Sequence, residues 1–266
     1  MMRSVYLKTL YEKRWFLLGW TLGFTALTVL MTTFYPAMHM DGALDALVKN
    51  MPKAFEGLIG DLANLKDFPS YIASQLFDIR LPLITGIMAI ILGLGLSTNE
   101  EESGELRSIL ALPISRTKLL LEKWLALCTI MLVSSIGFVI GIYGVAPFID
   151  GASIDFVDTL LPLVAMTWLL MVVFGTITFA AGMAFGKKGI ANAVGILVII
   201  GSFILSTFGQ AVDWLEPFEK VSLLHYFPAV EISKGEGEWT DVIVLSSIVV
   251  VTLLGAWLSF RRRDIA

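Results

Sequence analysis

The glycine–lysine string Gly182-Met-Ala-Phe-Gly186-Lys187-Lys188 is the first place to look for chemistry. A phosphate-binding loop needs four residues between its glycines and a Ser or Thr after its lysine to hold magnesium. Here three residues separate the glycines and Lys188 stands where the hydroxyl belongs, so this route to ATP hydrolysis is closed. The acid pair Glu101-Glu102 raises a second chemistry, intramembrane proteolysis by adjacent glutamates. That arrangement wants an arginine four residues after the second glutamate and histidines on later spans. Leu106 occupies the arginine position, Arg107 comes one step late, and the two histidines, His39 and His225, lie outside the apolar runs. A zinc or Ser/His site meets the same shortage of histidine. His225 with Glu231 is a conceivable metal pair, set against the plainer alternative of a loop histidine satisfied by its neighbours. Cys128 is the single cysteine and sits in an apolar run, which leaves no disulfide framework or cysteine metal cluster within one chain.

The elements that would position these residues are membrane helices. Of 266 residues, 56% are hydrophobic and 16% charged, where soluble chains carry about 25% charged residues. Mean hydropathy is +0.80. The formal charge of −4 is mild and offers no basic surface for nucleic acid. A bilayer-spanning helix needs about 20 mostly apolar residues, and six stretches qualify: 16–35, 81–96, 119–146, 160–185, 190–208 and 242–260. The expected fold is therefore an all-α integral membrane protein with six transmembrane helices. Only Glu122 and Lys123, near the start of the third, put charge inside a stretch. A central Lys, Arg or Asp costs about 2.5–3.5 kcal/mol on insertion scales. Pro36 and Pro147 are expected to close the first and third spans, with Pro82 and Pro162 in the first turns of the second and fourth. The first stretch follows Arg3, Lys8, Lys13 and Arg14 like a signal peptide. Its apolar run from Trp15 to Tyr35 is longer than the 7–15 residues of a signal core, so it is expected to remain as an anchor.

Basic residues set the expected topology. With the N-terminus inside, the cytoplasmic segments hold 13 of the 19 Lys and Arg residues, among them Arg107, Arg116, Lys118, Lys187, Lys188 and Arg261 to Arg263. Three outer loops follow, at 36–80, 147–159 and 209–241. In the first, Leu44, Leu47, Val48 and Met51 recur at helical spacing, as do Phe55, Leu58, Ile59 and Leu62, predicting amphipathic helices at the surface. The third mixes Trp214, Phe218, Tyr226 and Phe227 with acids and reads as a folded outer cap.

The segment 97–118 lies between the second and third spans. Leu106, Ile109, Leu110 and Pro113 form an apolar edge flanked by Glu102, Glu105 and Arg107. Pro113 ends a short helix there, and Ser115 is placed to cap the helix that enters the third span. By pattern alone, a solvated connector fits as well as a stiff helix–turn–helix able to transmit a push. The positions Glu102, Gly104, Leu106, Leu110, Ala111, Pro113, Ile114, Ser115, Arg116 and Lys123 resemble the central loop of the type-2 ATP-binding-cassette (ABC) permease family. Leu17 to Trp20, the Gly186–Gly189 turn and the Arg261–Asp264 ending fit the same pattern, so the resemblance extends over most of the chain. It implies a single transmembrane permease domain over residues 1–266, carrying an N-terminal interfacial helix through Val5, Leu10, Tyr11 and Trp15. It also implies a coupling helix, within 97–118, that rests on an ATPase subunit. Glu101, Glu102, Glu105, Arg107 and Arg116 would make polar contacts with that subunit, Leu106 and Leu110 would seat the helix, and Gly104 and Pro113 belong to the same coupling set. Glu105 stands where many relatives have Thr.

The resemblance further implies partners: two copies of a cytoplasmic ATPase subunit holding ATP and magnesium, and a second permease, identical or related. Export across the cytoplasmic (inner) membrane follows, of a hydrophobic or amphipathic substrate such as a drug, lipid or peptide. The chain itself is then no enzyme and holds no cofactor. Candidate residues on the translocation path are Thr85, Met88, Asn192, Ser202, Phe203 and Ser206, each equally suited to helix packing. The pairs Gly19/Gly23, Gly137/Gly141 and Gly182/Gly186 permit close helix approach, within one bundle or across a seam between two. An intramembrane enzyme and a non-transporting scaffold are the competing readings. A secondary transporter fits poorly, because no span carries an ionisable group at its midplane.

Overall fold

The computed structural model describes residues 4–38, 67–78, 80–102, 114–208 and 215–263, and among them the chain is helical without a strand. Six helices are long and apolar enough to cross a bilayer: Arg14–Ala37, Phe68–Ser97, Arg116–Phe148, Phe156–Phe185, Lys188–Phe208 and Trp239–Arg262. They match the six expected stretches and mostly run a few residues further at the ends. The reason is physical: a charged residue ends an apolar run but not a helix, because Arg and Lys in a terminal turn carry their heads to the surface on long apolar stems. Pro36 likewise sits inside the first helix, which continues to Met38. The helix preceding the first span, Val5–Glu12, is short and separated from it by Lys13.

The second span begins earlier than its apolar run predicts. Asp67 caps it by accepting a hydrogen bond from Ser70 N at 3.0 Å, and Pro69 occupies its first turn. The chain widens to a π-helical stretch over Ala73–Asp78 before Arg80–Ser97 resumes the α-helix. Part of the expected first outer loop therefore belongs to the bundle. Phe68, Tyr71, Ile72, Leu76 and Phe77 are buried, Tyr71 donates its hydroxyl to Met31 O at 3.0 Å, and Tyr35 stacks edge-on against Phe68 and Tyr71. The helical spacing noted over Leu44–Leu62 lies outside the described residues.

The fourth span forms the centre, packed against the second, third, fifth and sixth, while the first lies along the third. Such a central helix must be apolar all round, and Leu163, Met166, Leu170, Val173, Phe174 and Phe179 are all buried. Small residues set the close approaches. A Cβ at Gly137 would sit 2.5 Å from Thr21 O of the first span, and one at Gly141 would overlap the Thr28 hydroxyl. Thr25 also donates to Gly137 O across that seam at 3.2 Å. Where the second and fourth spans cross, a Cβ at Gly93 would meet Gly175 O at 2.9 Å. Of the three Gly-x-x-x-Gly pairs, Gly137/Gly141 therefore packs within the chain, whereas Gly19 and Gly23 have nothing within 4 Å. Indole N–H groups bridge spans too: Trp124 to Thr176 Oγ1 at 2.9 Å and Trp168 to Cys128 O at 3.1 Å.

At one end of the bundle, residues 215–238 fold as a cap of 3₁₀ turns and the short helix Ala229–Ser233. Leu223, Phe227, Ala229 and Ile232 are buried beneath it. His225 Nδ1 lies 3.3 Å from Glu219 Oε1. The histidine is thus engaged locally, on a carboxylate other than the Glu231 weighed as its metal partner.

Candidate functional site

Ser4 and Arg263 lie at the bundle end opposite the cap, where the chain between the second and third spans also departs and returns. On the departing side, Ser97 and Thr98 donate their hydroxyls one turn back to Gly93 O at 2.7 Å and Leu94 O at 3.0 Å. The short helix Asn99–Glu102 follows. On the returning side, Ser115 caps the third span by accepting from Lys118 N at 3.2 Å, as its position in the sequence predicts.

Basic side chains from four other elements converge on the departing end. Lys123, only 1% exposed, donates from Nζ to Leu96 O at 2.9 Å. A Cβ at Gly95 would meet Lys13 Nζ at 3.2 Å, so that amine also lies over the last turn. Lys188, at the start of the fifth span, pairs with Glu102 at 3.7 Å. Arg263, at the end of the sixth span, forms an ion pair with Glu101. Positive charge here favours the carbonyl end of a helix. The Lys188–Glu102 pair is about half exposed on both sides and contributes little, since exposed pairs are worth about 0–1 kcal/mol. The Arg263–Glu101 pair is different, with side chains only 16% and 24% exposed.

Arg263 also donates from Nη1 to Met183 O at 2.8 Å and to Gly182 O at 3.4 Å, at the end of the fourth span. Met183 O is available because the span stops at Gly186, whose φ of +63° is left-handed, while Gly182 O also accepts from Gly186 N at 2.8 Å. A side chain at Gly186 is excluded twice, by that φ and by the 2.7 Å its Cβ would leave to Arg263 Nη1 and Glu101 Oε1. On the returning side, Arg116 donates from Nη1 to Phe260 O at 3.0 Å and to Arg263 O at 2.6 Å. Trp257 Nε1 donates to Thr117 Oγ1 at 3.0 Å beside it. The N-terminal helix is tied in through Glu122, whose Oε2 accepts from Ser4 Oγ and Tyr6 N, both at 3.0 Å. Leu7, Tyr11 and Trp15 of that segment stay exposed, and the Arg14 guanidinium stacks 4.0 Å over the Tyr11 ring.

Of the residues expected to contact an ATPase, the structure places Glu101, Glu102 and Arg116 together at this end. Gly104, Glu105, Leu106, Arg107, Leu110 and Pro113 lie outside the described residues. The expected path residues do not form one group. Thr85 and Met88 are fully buried between helices, and Thr85 donates its hydroxyl to Leu81 O at 2.6 Å. Ser202 is buried under the cap, accepting from Leu223 N at 3.2 Å while its carbonyl accepts from Ser222 Oγ at 2.7 Å. Asn192, Phe203 and Ser206 are half-buried along the fifth span. Sequence reasoning missed the roles of Arg263, Lys13 and Glu122. The available signals were the basic run at Arg261–Arg263, read for topology and for the family resemblance but not for bonds within the chain, and a lone acid entering an apolar stretch.

Chemically, the arrangement is a set of ties between helix ends. No group of three or more His, Cys, Asp or Glu able to hold a metal ion occurs among the described residues. Residues 16–265 match the family model described as ABC-2 family transporter protein. The chain is also 25% identical, over 209 residues, to the uncharacterized protein YhcI of Bacillus subtilis (strain 168). That alignment covers 69% of this chain and 66%, just under two thirds, of the relative.

Proposed function

The chain belongs to the ABC-2 transporter family, and from that premise we propose that it is the membrane permease subunit of an exporter driven by ATP hydrolysed on a separate chain. Family membership carries the coarse statement: a multi-pass membrane subunit of a transporter rather than an enzyme. The observation that carries the finer one is that both flanks of segment 103–113 are tied to the ends of the spans, through Glu101 and Arg116. A docked ATPase pushing on such a segment would move helices. A slack connector would absorb the push.

On this reading the end carrying Ser4 and Arg263 faces the cytoplasm of a cell with an inner membrane, as the distribution of lysine and arginine favours. An ATP-binding-cassette subunit, in two copies, docks there with its ATP and magnesium, and a second permease completes the pathway. Glu101, Glu102, Gly104, Glu105, Leu106, Arg107, Leu110, Pro113 and Arg116 form the docking element. ATP-driven closure of the ATPases shifts it and alternates access across the bundle. The cargo is hydrophobic or amphipathic, of the drug, lipid or peptide kind, consistent with spans that carry no midplane charge.

The test is affinity purification of the full chain from membranes in mild detergent, with the co-purifying ATPase identified by mass spectrometry. Wild type should retain an ATP-binding-cassette subunit, and Glu102→Arg combined with Gly104→Pro should lose it or lose its stimulated hydrolysis. A cysteine at position 107, in a Cys128→Ser background, should react with a membrane-impermeant maleimide only from the cytoplasmic side. Labelling from outside, or a wild-type chain that retains no ATPase after cross-linking, overturns the proposal.

A further inference from the structure

We propose that Arg263 is a positioning residue that staples Glu101 and Arg116, on the two flanks of segment 103–113, to one point, so that both flanks move with the fourth and sixth spans. The inference deepens the permease reading and, for its mechanical consequence, rests on it. Two groups of a single residue do the work. The guanidinium of Arg263 holds Glu101, on the departing flank. Its main-chain carbonyl accepts from Arg116, on the returning flank, at 2.6 Å. The segment's two ends, in different helices and 15 positions apart in sequence, thus meet through Arg263.

The remaining bonds of Arg263 determine what moves with the staple. Nη1 reaches Met183 O and Gly182 O, so the end of the fourth span is included. The residue follows directly on the last turn of the sixth span, whose Phe260 O is the other acceptor for Arg116. The left-handed turn at Gly186 opens the space for the guanidinium and the glutamate. Glu101 and Arg263 are largely shielded from water, which is where a charge-assisted bond holds geometry best. Without the staple, a push on the segment would act on the second and third spans, to which it is covalently joined. With it, the push reaches the fourth span at the centre of the bundle. Arginine is required over lysine, because one planar fork must serve a carboxylate and two carbonyls together.

The experiment is hydrogen–deuterium exchange on the full chain in lipid nanodiscs, read at the amides of residues 98–102 and 115–119. Arg263→Ala should speed exchange at both flanks on the order of tenfold, as expected for loss of a shielded charge-assisted bond. Arg263→Lys should fall between. Glu101→Gln gives the decisive reading: it touches only the departing flank, yet the staple requires faster exchange at 115–119 as well. Arg262→Ala, at the exposed basic neighbour of Arg263, should leave both flanks unchanged. Acceleration confined to 98–102 in Glu101→Gln overturns the staple, as does equal acceleration across the Thr25–Gly137 seam in Arg263→Ala. In the complex with its ATPase, Arg263→Lys should retain the subunit while reducing the chain's stimulation of ATP turnover severalfold, and full stimulation overturns the mechanical consequence. A wild-type chain that captures no ATPase overturns the permease reading instead, and the exchange data still decide the staple.

Discussion

Replacing Gly141 by alanine tests whether the seam between the first and third spans is set by backbone approach. The added Cβ would overlap the Thr28 hydroxyl and lie 2.7 Å from Thr25 O and 2.8 Å from Thr28 Cβ. Ordinary contact begins at 3.4 Å and the Thr28 hydroxyl would lie at 1.7 Å, so the helices must separate by roughly 1.7 Å, since an embedded carbonyl cannot rotate aside. Turning the Thr28 side chain gives no relief, because its hydroxyl is bonded to Phe24 O at 2.9 Å and Thr25 O at 3.0 Å. Overpacking of this kind costs about 1–3 kcal/mol, offset in part by the roughly 0.5–1 kcal/mol that alanine gains over glycine inside a helix. At about 2–4 °C per kcal/mol for a chain of this size, Gly141→Ala should melt several degrees lower. Gly137→Ala, whose Cβ meets Thr21 O at 2.5 Å, should behave alike. Gly19→Ala is the control: with nothing within 4 Å, it should melt at or slightly above wild type. Thermal unfolding followed by size-exclusion chromatography in one detergent measures all three. Equal melting for Gly141→Ala and Gly19→Ala would refute the reasoning.

Three further outcomes follow from single contacts. Glu122→Ala removes the acceptor for Ser4 Oγ and Tyr6 N, a cap worth about 1 kcal/mol. Amides of Val5–Glu12 should then exchange severalfold faster, with Glu122→Gln intermediate. Ser202→Ala leaves the buried Leu223 N–H without its acceptor, costing about 1–3 kcal/mol, and limited proteolysis should cut the cap first within 215–228. Gly186→Ala must hold alanine at φ +63°, a strain of about 1–2 kcal/mol, with its Cβ against Arg263 and Glu101. It should lower the melting temperature and loosen the 98–102 flank together, as read by exchange.

The spans were legible because crossing a bilayer demands length and apolarity, and both are local properties. Their outer limits were not. Asp67, Asp78 and Arg80 break the apolar run before the second span, yet Tyr71, Ile72 and Phe77 around them are buried against the first and third. No window over the sequence shows that partner surface. Ser115 as a cap was readable, since capping spans three residues. Arg263 was not, because its bonds join positions 101, 116 and 182–183, and only the folded bundle makes those neighbours. The basic run served topology by its sign and the resemblance by its order, and neither use assigns Arg263 a bonding partner.

Where cargo would pass follows from what the interior hydroxyls already do. Thr85, Ser97, Thr167 and Thr178 each donate to the carbonyl four residues back, at 2.6–3.0 Å, and are buried among apolar side chains. An amphipathic molecule crossing between the second and fourth spans would find those hydroxyls already engaged within their own helices and would have to part the close contact of Gly93 with Gly175 O. The first, fifth and sixth spans are little buried by their own chain, and on the fifth Ile196, Leu197, Ile200 and Ile204 are exposed. The fifth also carries Asn192, Phe203 and Ser206 at half-buried positions. On the permease reading, a second copy or a related permease packs near this row, and the path runs between the two. In a Cys128→Ser background, Ser206→Cys should form a disulfide-linked dimer in membranes under mild oxidation, or cross-link to the partner permease by a short bifunctional maleimide. A cysteine replacing Val251, an exposed residue of the sixth span, should do so at least tenfold more slowly. Equal rates at both positions would mean random collision in the bilayer, and the path would have to be sought elsewhere than along the fifth span.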